Sequence, residues 1–214
     1  MLIYHHAHSE FLIETAAGFR ILTDPFDGNV GYPMHDVRCD AVTVSHGHGD
    51  HSYTDKAKGA QVIADRPGKI TMATGVTATG IPCWHDDKQG ALRGANLIFL
   101  IEADGLRVAH FGDLGAWDEA LAEKLGGIDI ALVPVGGHYT IDAAAAAKLT
   151  ERIQPRMIIP MHYKTKANAG WPIAALDDCL PAFHAESAPR MPLLRVTRED
   201  LSEQPRIAVL EDGV

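Results

Sequence analysis

Val44-Ser45-His46-Gly47-His48-Gly49-Asp50-His51 places three histidines and an aspartate at the end of an apolar run, spaced by glycines. Neutral imidazole and carboxylate are good ligands for zinc and similar divalent ions. Residues two apart in an extended segment share a side, so His46 and His48 reach toward one ion together. His51 faces another way, toward a second ion. Gly47 and Gly49 lack Cβ atoms and let the backbone bend and approach the site. Asp50 is placed to cap a following helix. A His-rich surface loop is the alternative. Four ligand groups and two spacer glycines directly after a strand favour the metal reading.

Composition sets the frame around this segment. A chain of 214 residues is long enough for one domain with a full core, taken as residues 1–214. Its 46% hydrophobic content is ordinary for a globular protein. A formal charge of −9 argues against broad binding of nucleic acid or anionic membrane. No apolar run approaches the roughly 18 residues of a membrane span. The first residues carry His5, His6, His8 and Glu10 without a basic n-region or apolar h-region, unlike a secretory signal. Cys39, Cys83 and Cys179 are scattered and form no CxxC pair, which fits small core residues in a reducing cytoplasm.

Strands are expected at Leu2 to Tyr4, Phe11 to Thr15 and Phe19 to Thr23, the last two joined by the turn Ala16-Ala17-Gly18. Asp24-Pro25-Phe26 ends that segment, and residues 27–40 form a Gly/Pro-containing loop. Ala41 to Val44 is a strand, residues 52–59 a short helix, and Gln61 to Ala64 and Val76 to Pro82 are strands. Asp104-Gly105 turns a hairpin between Asn96 to Ala103 and Leu106 to Phe111. Ala116 to Leu125 reads as a helix stopped by Gly126-Gly127, and Ile128 to Val135 as a buried strand. Asp142 caps a helix to Ile153. Arg156 to Met161 is a strand and Ile173 to Leu180 a helix, with Leu193 to Val196 and Arg206 to Leu210 as closing strands. Strands alternating with helices, without a linker or repeat, give an α/β class.

Further ligand types stand at other strand ends: His85 in Trp84-His85-Asp86-Asp87, Asp113 in His110-Phe111-Gly112-Asp113, and His162 in Met161-His162-Tyr163. Polar residues gathered on loops at one edge of a rigid sheet make a site. Together with the opening segment they amount to seven ligands, enough for two ions sharing a carboxylate.

His46-Gly-His48-Gly-Asp50-His51 resembles the HxHxDH motif of the metallo-β-lactamase-fold hydrolases, and the resemblance spans nearly the whole chain. Asp24-Pro25-Phe26 matches an Asp-Pro segment of that family. His85-Asp86-Asp87 with Gly90 and Arg93-Gly94 resembles the HDD…G…RG segment of a small bacterial and archaeal branch. His110-Phe111-Gly112-Asp113, Pro134-Val135-Gly136-Gly137-His138-Tyr139-Thr140 and Pro160-Met161-His162-Tyr163 match its later motifs. The branch is akin to ascorbate-6-phosphate lactonases and N-acylphosphatidylethanolamine phospholipases. The resemblance implies a four-layer αββα sandwich with metals at one edge. It implies His46, His48 and His85 around the first metal, Asp50, His51 and His162 around the second, and Asp113 bridging both. Asp86 and Asp87 compete with His85 for its place, and His110 competes with Asp113.

Other polar residues divide between roles around the metals and plain structure. Metal-bound imidazoles usually donate their second N–H to a carboxylate or carbonyl. Asp24 is a candidate for that partner, with a turn aspartate as the alternative. His8, His110 and His138 are assigned to the surroundings of the metals or to substrate contact. Gly136-Gly137 would let backbone approach the site, with Tyr139 or Thr140 offering a hydroxyl. Arg93 and Lys164 are candidates for an anionic substrate group, against a solvated-surface reading. His35 and His184 read as surface residues.

The implied function is metal-assisted hydrolysis of an ester, lactone or phosphodiester. Two divalent ions, Zn2+ with Mn2+ or Fe2+ as alternatives, would hold a bridging hydroxide, roughly 3.5–4 Å apart. Asp50 or Asp113 would hold or relay the proton. Two divalent ions outweigh two carboxylates and a hydroxide by about one charge, which favours a small anionic substrate. A homo-oligomer is a further expectation. One rival is a di-iron redox protein, which usually carries a carboxylate where His85 stands and a flavin partner. Another is a non-catalytic metal-binding or sensor protein. Iron with a visible absorption band would favour the first rival, and bound zinc without activity the second.

Overall fold

A computed structural model describes residues 1–201 and 206–213. In chain order its main strands are β1 (Leu2–Ala7), β2 (Glu10–Glu14), β3 (Arg20–Thr23), β4 (Ala41–Thr43), β5 (Val62–Ala64), β6 (Gly68–Ala73), β7 (Val76–Trp84), β8 (Ala95–Ala103), β9 (Leu106–His110), β10 (Ile130–Pro134), β11 (Met157–Met161), β12 (Leu194–Arg195) and β13 (Arg206–Ile207). The helices are α1 (Gly49–Ser52), α2 (Glu119–Lys124), α3 (Ala143–Ile153) and α4 (Leu176–Cys179). One sheet has the order β12-β1-β2-β3-β4-β5, the other β13-β11-β10-β9-β8-β7-β6.

Alternation along the strands of the first sheet decides which residues face the second. Phe11, Ile13, Ile21 and Ala41 belong to the large buried core, together with Phe99, Ile101 and Val108 of the second sheet. The intervening Leu12, Leu22 and Val42 lie side by side across β2, β3 and β4 and pack with Val37, Cys39 and Val44 on the outer face. The two-strand ribbon of Val37–Arg38 with Ala57–Lys58 packs on that face through Val37 and Ala57. On the opposite side α2 and α3 pack together and α3 packs on β10. Every residue of β10 and β11 is buried, as parallel strands covered on both faces require. The layers are those of an αββα sandwich.

Strand direction puts the polar ends at one edge. β1 and β2 pair antiparallel, as do β2 and β3, while β3 and β4 are parallel. β1, β3 and β4 therefore run the same way, and their C-terminal ends deliver His8, Asp24 and the His46–His51 segment. In the other sheet β7, β8 and β9 alternate while β9, β10 and β11 are parallel. β7, β9 and β11 thus run alike and deliver His85, Asp113 and His162.

Several expected elements differ. Residues 52–59 are not one helix: α1 begins earlier at Gly49, with His48 at its N-cap, and Asp50 lies inside its first turn rather than capping it. Helix α2 starts only after Asp118, whose side chain accepts from the Leu121 N–H. Of the helix expected over residues 173–180, only Leu176–Cys179 is α-helical, followed by a 3-10 turn containing Pro181. β6 was not anticipated; it forms a hairpin with β7. Arg206 to Leu210 splits into two short strands with different partners. The Asp104-Gly105 hairpin matches expectation, both residues having positive φ. Among the described residues, no helix is long and apolar enough to cross a membrane.

Candidate metal centre

The C-terminal edges of the two sheets meet around Asp113. Its Oδ1 lies 3.1 Å from His51 Nε2, and its Oδ2 lies 3.2 Å from His85 Nε2 and 3.3 Å from His162 Nε2. His46, His48 and His85 offer ligand atoms all within 4.8 Å of one another, and so do His8, Asp50, His51 and His162. The two groups flank Asp113.

Hydrogen bonds fix which imidazole nitrogen faces inward. The Ser45 N–H and hydroxyl donate to Asp24 Oδ1 and Oδ2 at 2.8 and 2.5 Å. The Ser45 oxygen then accepts from His46 Nδ1 at 2.9 Å, leaving His46 Nε2 facing His48 Nδ1 at 3.0 Å. His51 Nδ1–H donates to Asp24 Oδ2 at 2.9 Å, leaving its Nε2 toward Asp113. Asp24 is fully buried and its oxygens are spent on these donors, so it orients the imidazoles rather than offering a free ligand atom. Asp24→Ala should weaken metal affinity by about 10- to 100-fold, read by competition against a chromogenic chelator. Unchanged affinity would remove Asp24 from this role.

The competitors fall away on contacts. His110 is buried, donates from Nε2 to the Ser9 carbonyl at 2.7 Å and accepts the Gly112 N–H on Nδ1, so neither nitrogen is free. Asp86 accepts four backbone N–H groups, from Lys88, Gly90, Leu92 and Arg93. Burial pushes its carboxyl up, but those donors hold it down at about 2. Asp87 is exposed. Gly115 makes room for this turn, since a Cβ there would lie 2.3 Å from the His85 carbonyl carbon. A Cβ at Gly49 would push the Asp27 carboxylate aside, whereas Gly47 faces open space.

A metal accounts for otherwise costly features. Both ring nitrogens of His162 and His85 Nδ1 are buried without a hydrogen-bond partner among the described residues, and His51 Nε2 and Asp113 Oδ1, 3.1 Å apart, face each other. Unpaired buried polar atoms cost roughly 1–3 kcal/mol each, and several of these converge on one point. His8, Asp24 and His162 all have left-handed backbone, at φ 56°, 40° and 55°. Such strain concentrates at functional sites. The donor set of imidazoles and carboxylates suits divalent zinc, manganese or iron.

Charge is arranged accordingly. Burial, then His51 and His85, pushes the His46 imidazole down to about 3. Burial, then His162 and His51, does the same for His8. Burial works against protonated His51, but Asp113 and Asp24 outweigh it and raise its pKa well above the ordinary value. Burial likewise opposes the Asp113 carboxylate, but His162 and His51 hold its pKa well below normal.

Above the cluster lies a cavity of about 250 Å³. His48, Asp50, His85, Asp113 and His162 line it together with Arg93, Tyr139 and Trp171. The Arg93 guanidinium sits 5.7 Å from the Tyr139 ring centroid and has no carboxylate partner among the described residues. Lys164 does not line this cavity; its N–H is bound to the Ala174 carbonyl. His138 is exposed, packs edge-on against Tyr139 and faces a neighbouring groove with Thr140. Gly136 does bring backbone close: a Cβ there would lie 2.3 Å from the His162 carbonyl oxygen. His35 and His184 are exposed. Trp171 was missed by the sequence reading. It packs edge-on to His8 at 5.3 Å and to Tyr139 at 6.0 Å, and the Gly170-Trp171-Pro172 turn close after His162 was the available signal.

Two face-to-face sheets with a His/Asp cluster across their shared edge define a metal-dependent hydrolase scaffold. The chain belongs to the metallo-β-lactamase superfamily: the family model described as "Beta-lactamase superfamily domain" matches residues 2–162. It is 33% identical over 198 residues to a UPF0173 metal-dependent hydrolase of Thermococcus onnurineus, covering 79% of this chain and 85% of the relative. A UPF0173 metal-dependent hydrolase of Carboxydothermus hydrogenoformans is also 33% identical, over 83% of this chain and 88% of the relative. Among solved structures, a Thermotoga maritima protein assigned to the Zn-dependent hydrolases of this superfamily is 34% identical. It covers 98% of this chain and 97% of its own, with a TM-score of 0.77.

Proposed function

We propose that the protein is a binuclear metal-dependent hydrolase of a small anionic ester, lactone or phosphodiester. His46, His48 and His85 would hold the first ion, Asp50, His51 and His162 the second, with Asp113 shared. The observation that carries this reading is the position of Asp113, whose two oxygens reach imidazoles of both groups at 3.1–3.3 Å. Bound divalent ions would supply Lewis acidity and lower the pKa of water toward about 7.

The chain's own residues would do the rest. Asp50 is the more open of the two carboxylates, 23% exposed against 3% for Asp113. It is the one that can accept a proton at Oδ2 and pass it to solvent. Tyr139 and Trp171 wall the cavity against bulk water. Arg93 would hold the substrate's anionic group, because it is the cation lining the cavity and its loop is fixed by the Asp86 bonds. We further propose that residues 1–214 act as one domain, and that the three free thiols reflect a reducing cytoplasm.

The test is metal analysis after reconstitution with Zn2+, Mn2+ or Fe2+, followed by a screen of phosphodiester, lactone, ester and thioester substrates. Two equivalents of metal with turnover of at least one class is the expected result. Saturation at one equivalent would sink the binuclear reading. Arg93→Met should raise KM for an anionic substrate at least about tenfold, about 1.4 kcal/mol, and leave a neutral ester of similar size unaffected. Equal effects on both substrates would show that Arg93 does not read charge.

A further inference from the structure

We propose that His8 is itself a ligand of the second metal position, and that the two positions therefore prefer different metals. This rests on the two-position reading above. His8 directly follows β1, and its side chain is completely buried, at 0% exposure. Neither of its ring nitrogens has a hydrogen-bond partner among the described residues. Buried ring nitrogens left so are destabilising unless something else is bound there.

The ring is aimed at the site and held there. His8 Nε2 lies 3.4 Å from Asp50 Oδ2, and it falls in the same ligand group as Asp50, His51 and His162. Its ring packs 4.2 Å from that of His162 and 5.0 Å from that of His51. The backbone is pinned as well. The His8 carbonyl accepts the His162 N–H at 3.1 Å and is contacted by His5 Nε2 at 3.1 Å. The left-handed φ of 56° turns the side chain out of the strand line into the site. A β-strand end has no need of such strain, which a residue with a Cβ adopts only at a cost. A hydrogen bond to Asp50 alone is a weak recompense, because 3.4 Å exceeds the usual N–H···O range.

The consequence is asymmetry. The first position has three imidazoles and a share of Asp113. With His8 the second has three imidazoles, Asp50 and a share of Asp113. Zinc in proteins settles for four ligands, most often tetrahedral. A larger set of mixed nitrogen and oxygen donors suits manganese or iron better. Zn2+ is thus assigned to the first position and Mn2+ or Fe2+ to the second.

Cobalt titration of the metal-free protein tests this, because four-coordinate Co2+ absorbs visible light more strongly than five- or six-coordinate Co2+. In the wild type a second equivalent should add only a weak band. His8→Ala should lower the affinity for that equivalent at least about tenfold and intensify its band. His8→Gln keeps an N–H donor toward Asp50 but lacks the imidazole, and should behave like His8→Ala. Circular dichroism establishes that both variants are folded. Wild-type affinity and spectrum in either variant overturn the assignment of His8 while leaving the binuclear reading standing. Uptake of a single equivalent by the wild type overturns both.

Discussion

Asp113→Ala is expected to lower turnover by at least about a thousandfold, equivalent to about 4 kcal/mol of barrier, while the protein stays folded. Asp113 Oδ1 faces His51 and its Oδ2 faces both His85 and His162, so its loss would deprive both proposed metal positions of one donor and of a negative charge. The fold should survive because the local anchor is backbone: the Asp113 N–H donates to Asn96 Oδ1 at 3.0 Å, and Asn96 also donates to the Phe111 carbonyl. Gly112 remains the close-approach residue, its missing Cβ leaving room for Ser45 and Asn96. The measurements are kcat after reconstitution, metal content per chain and thermal unfolding. A variant with wild-type turnover and two bound ions would remove the shared carboxylate from the mechanism.

Loss of metal should make stability strongly acid-sensitive, and the sign follows from the imidazoles. His8 and His46 have folded pKa values pushed down to about 3 from 6.5. The unfolded chain therefore takes up protons that the folded one refuses, and stability falls as pH drops from about 6.5 toward 3. Each such group contributes on the order of 4 kcal/mol across that window, and buried His5 and His110 act in the same direction. His51 opposes them. Its raised pKa gives stabilisation that is full below about 6.5 and is lost as pH rises through its folded value. Between about pH 6.5 and 4 the His51 contribution is constant, so the lowered imidazoles set the sign of the change there. The urea midpoint of chelator-treated protein should decline steadily from pH 7 to pH 4. A flat midpoint over that range would mean these imidazoles are not held neutral in the metal-free fold.

Much of the architecture could be read from the chain because strand periodicity and turn chemistry agree there. Asp104-Gly105 sets the β8–β9 hairpin, and Asp142 caps α3 by accepting the Ala145 N–H. The meeting of His46, His48, Asp50, His51, His85, Asp113 and His162 was legible because each stands at a strand end. What sequence could not give was side-chain competition for hydrogen bonds. Asp86 and His110 carry the right chemistry for ligands, but their polar atoms are spent on backbone groups. Short elements were also hard to read. α1 and α4 have four residues each, too few for a helical period to show. His8 was obscure for a related reason, since only the fold shows that its strand runs the same way as β3 and β4.

The groups around Asp113 come from two stretches of chain. His8, Asp24 and the His46–His51 segment belong to the first sheet, and His85, Asp113 and His162 to the second. Neither stretch alone can complete a coordination sphere. A bound ion therefore acts as a rivet between two plates: it holds only where they are already aligned, and it resists their being prised apart. The grip of the ion and the mechanical cohesion of the sandwich are then one quantity, so substitutions deep between the sheets, far from any ligand, should register first as metal that leaks away.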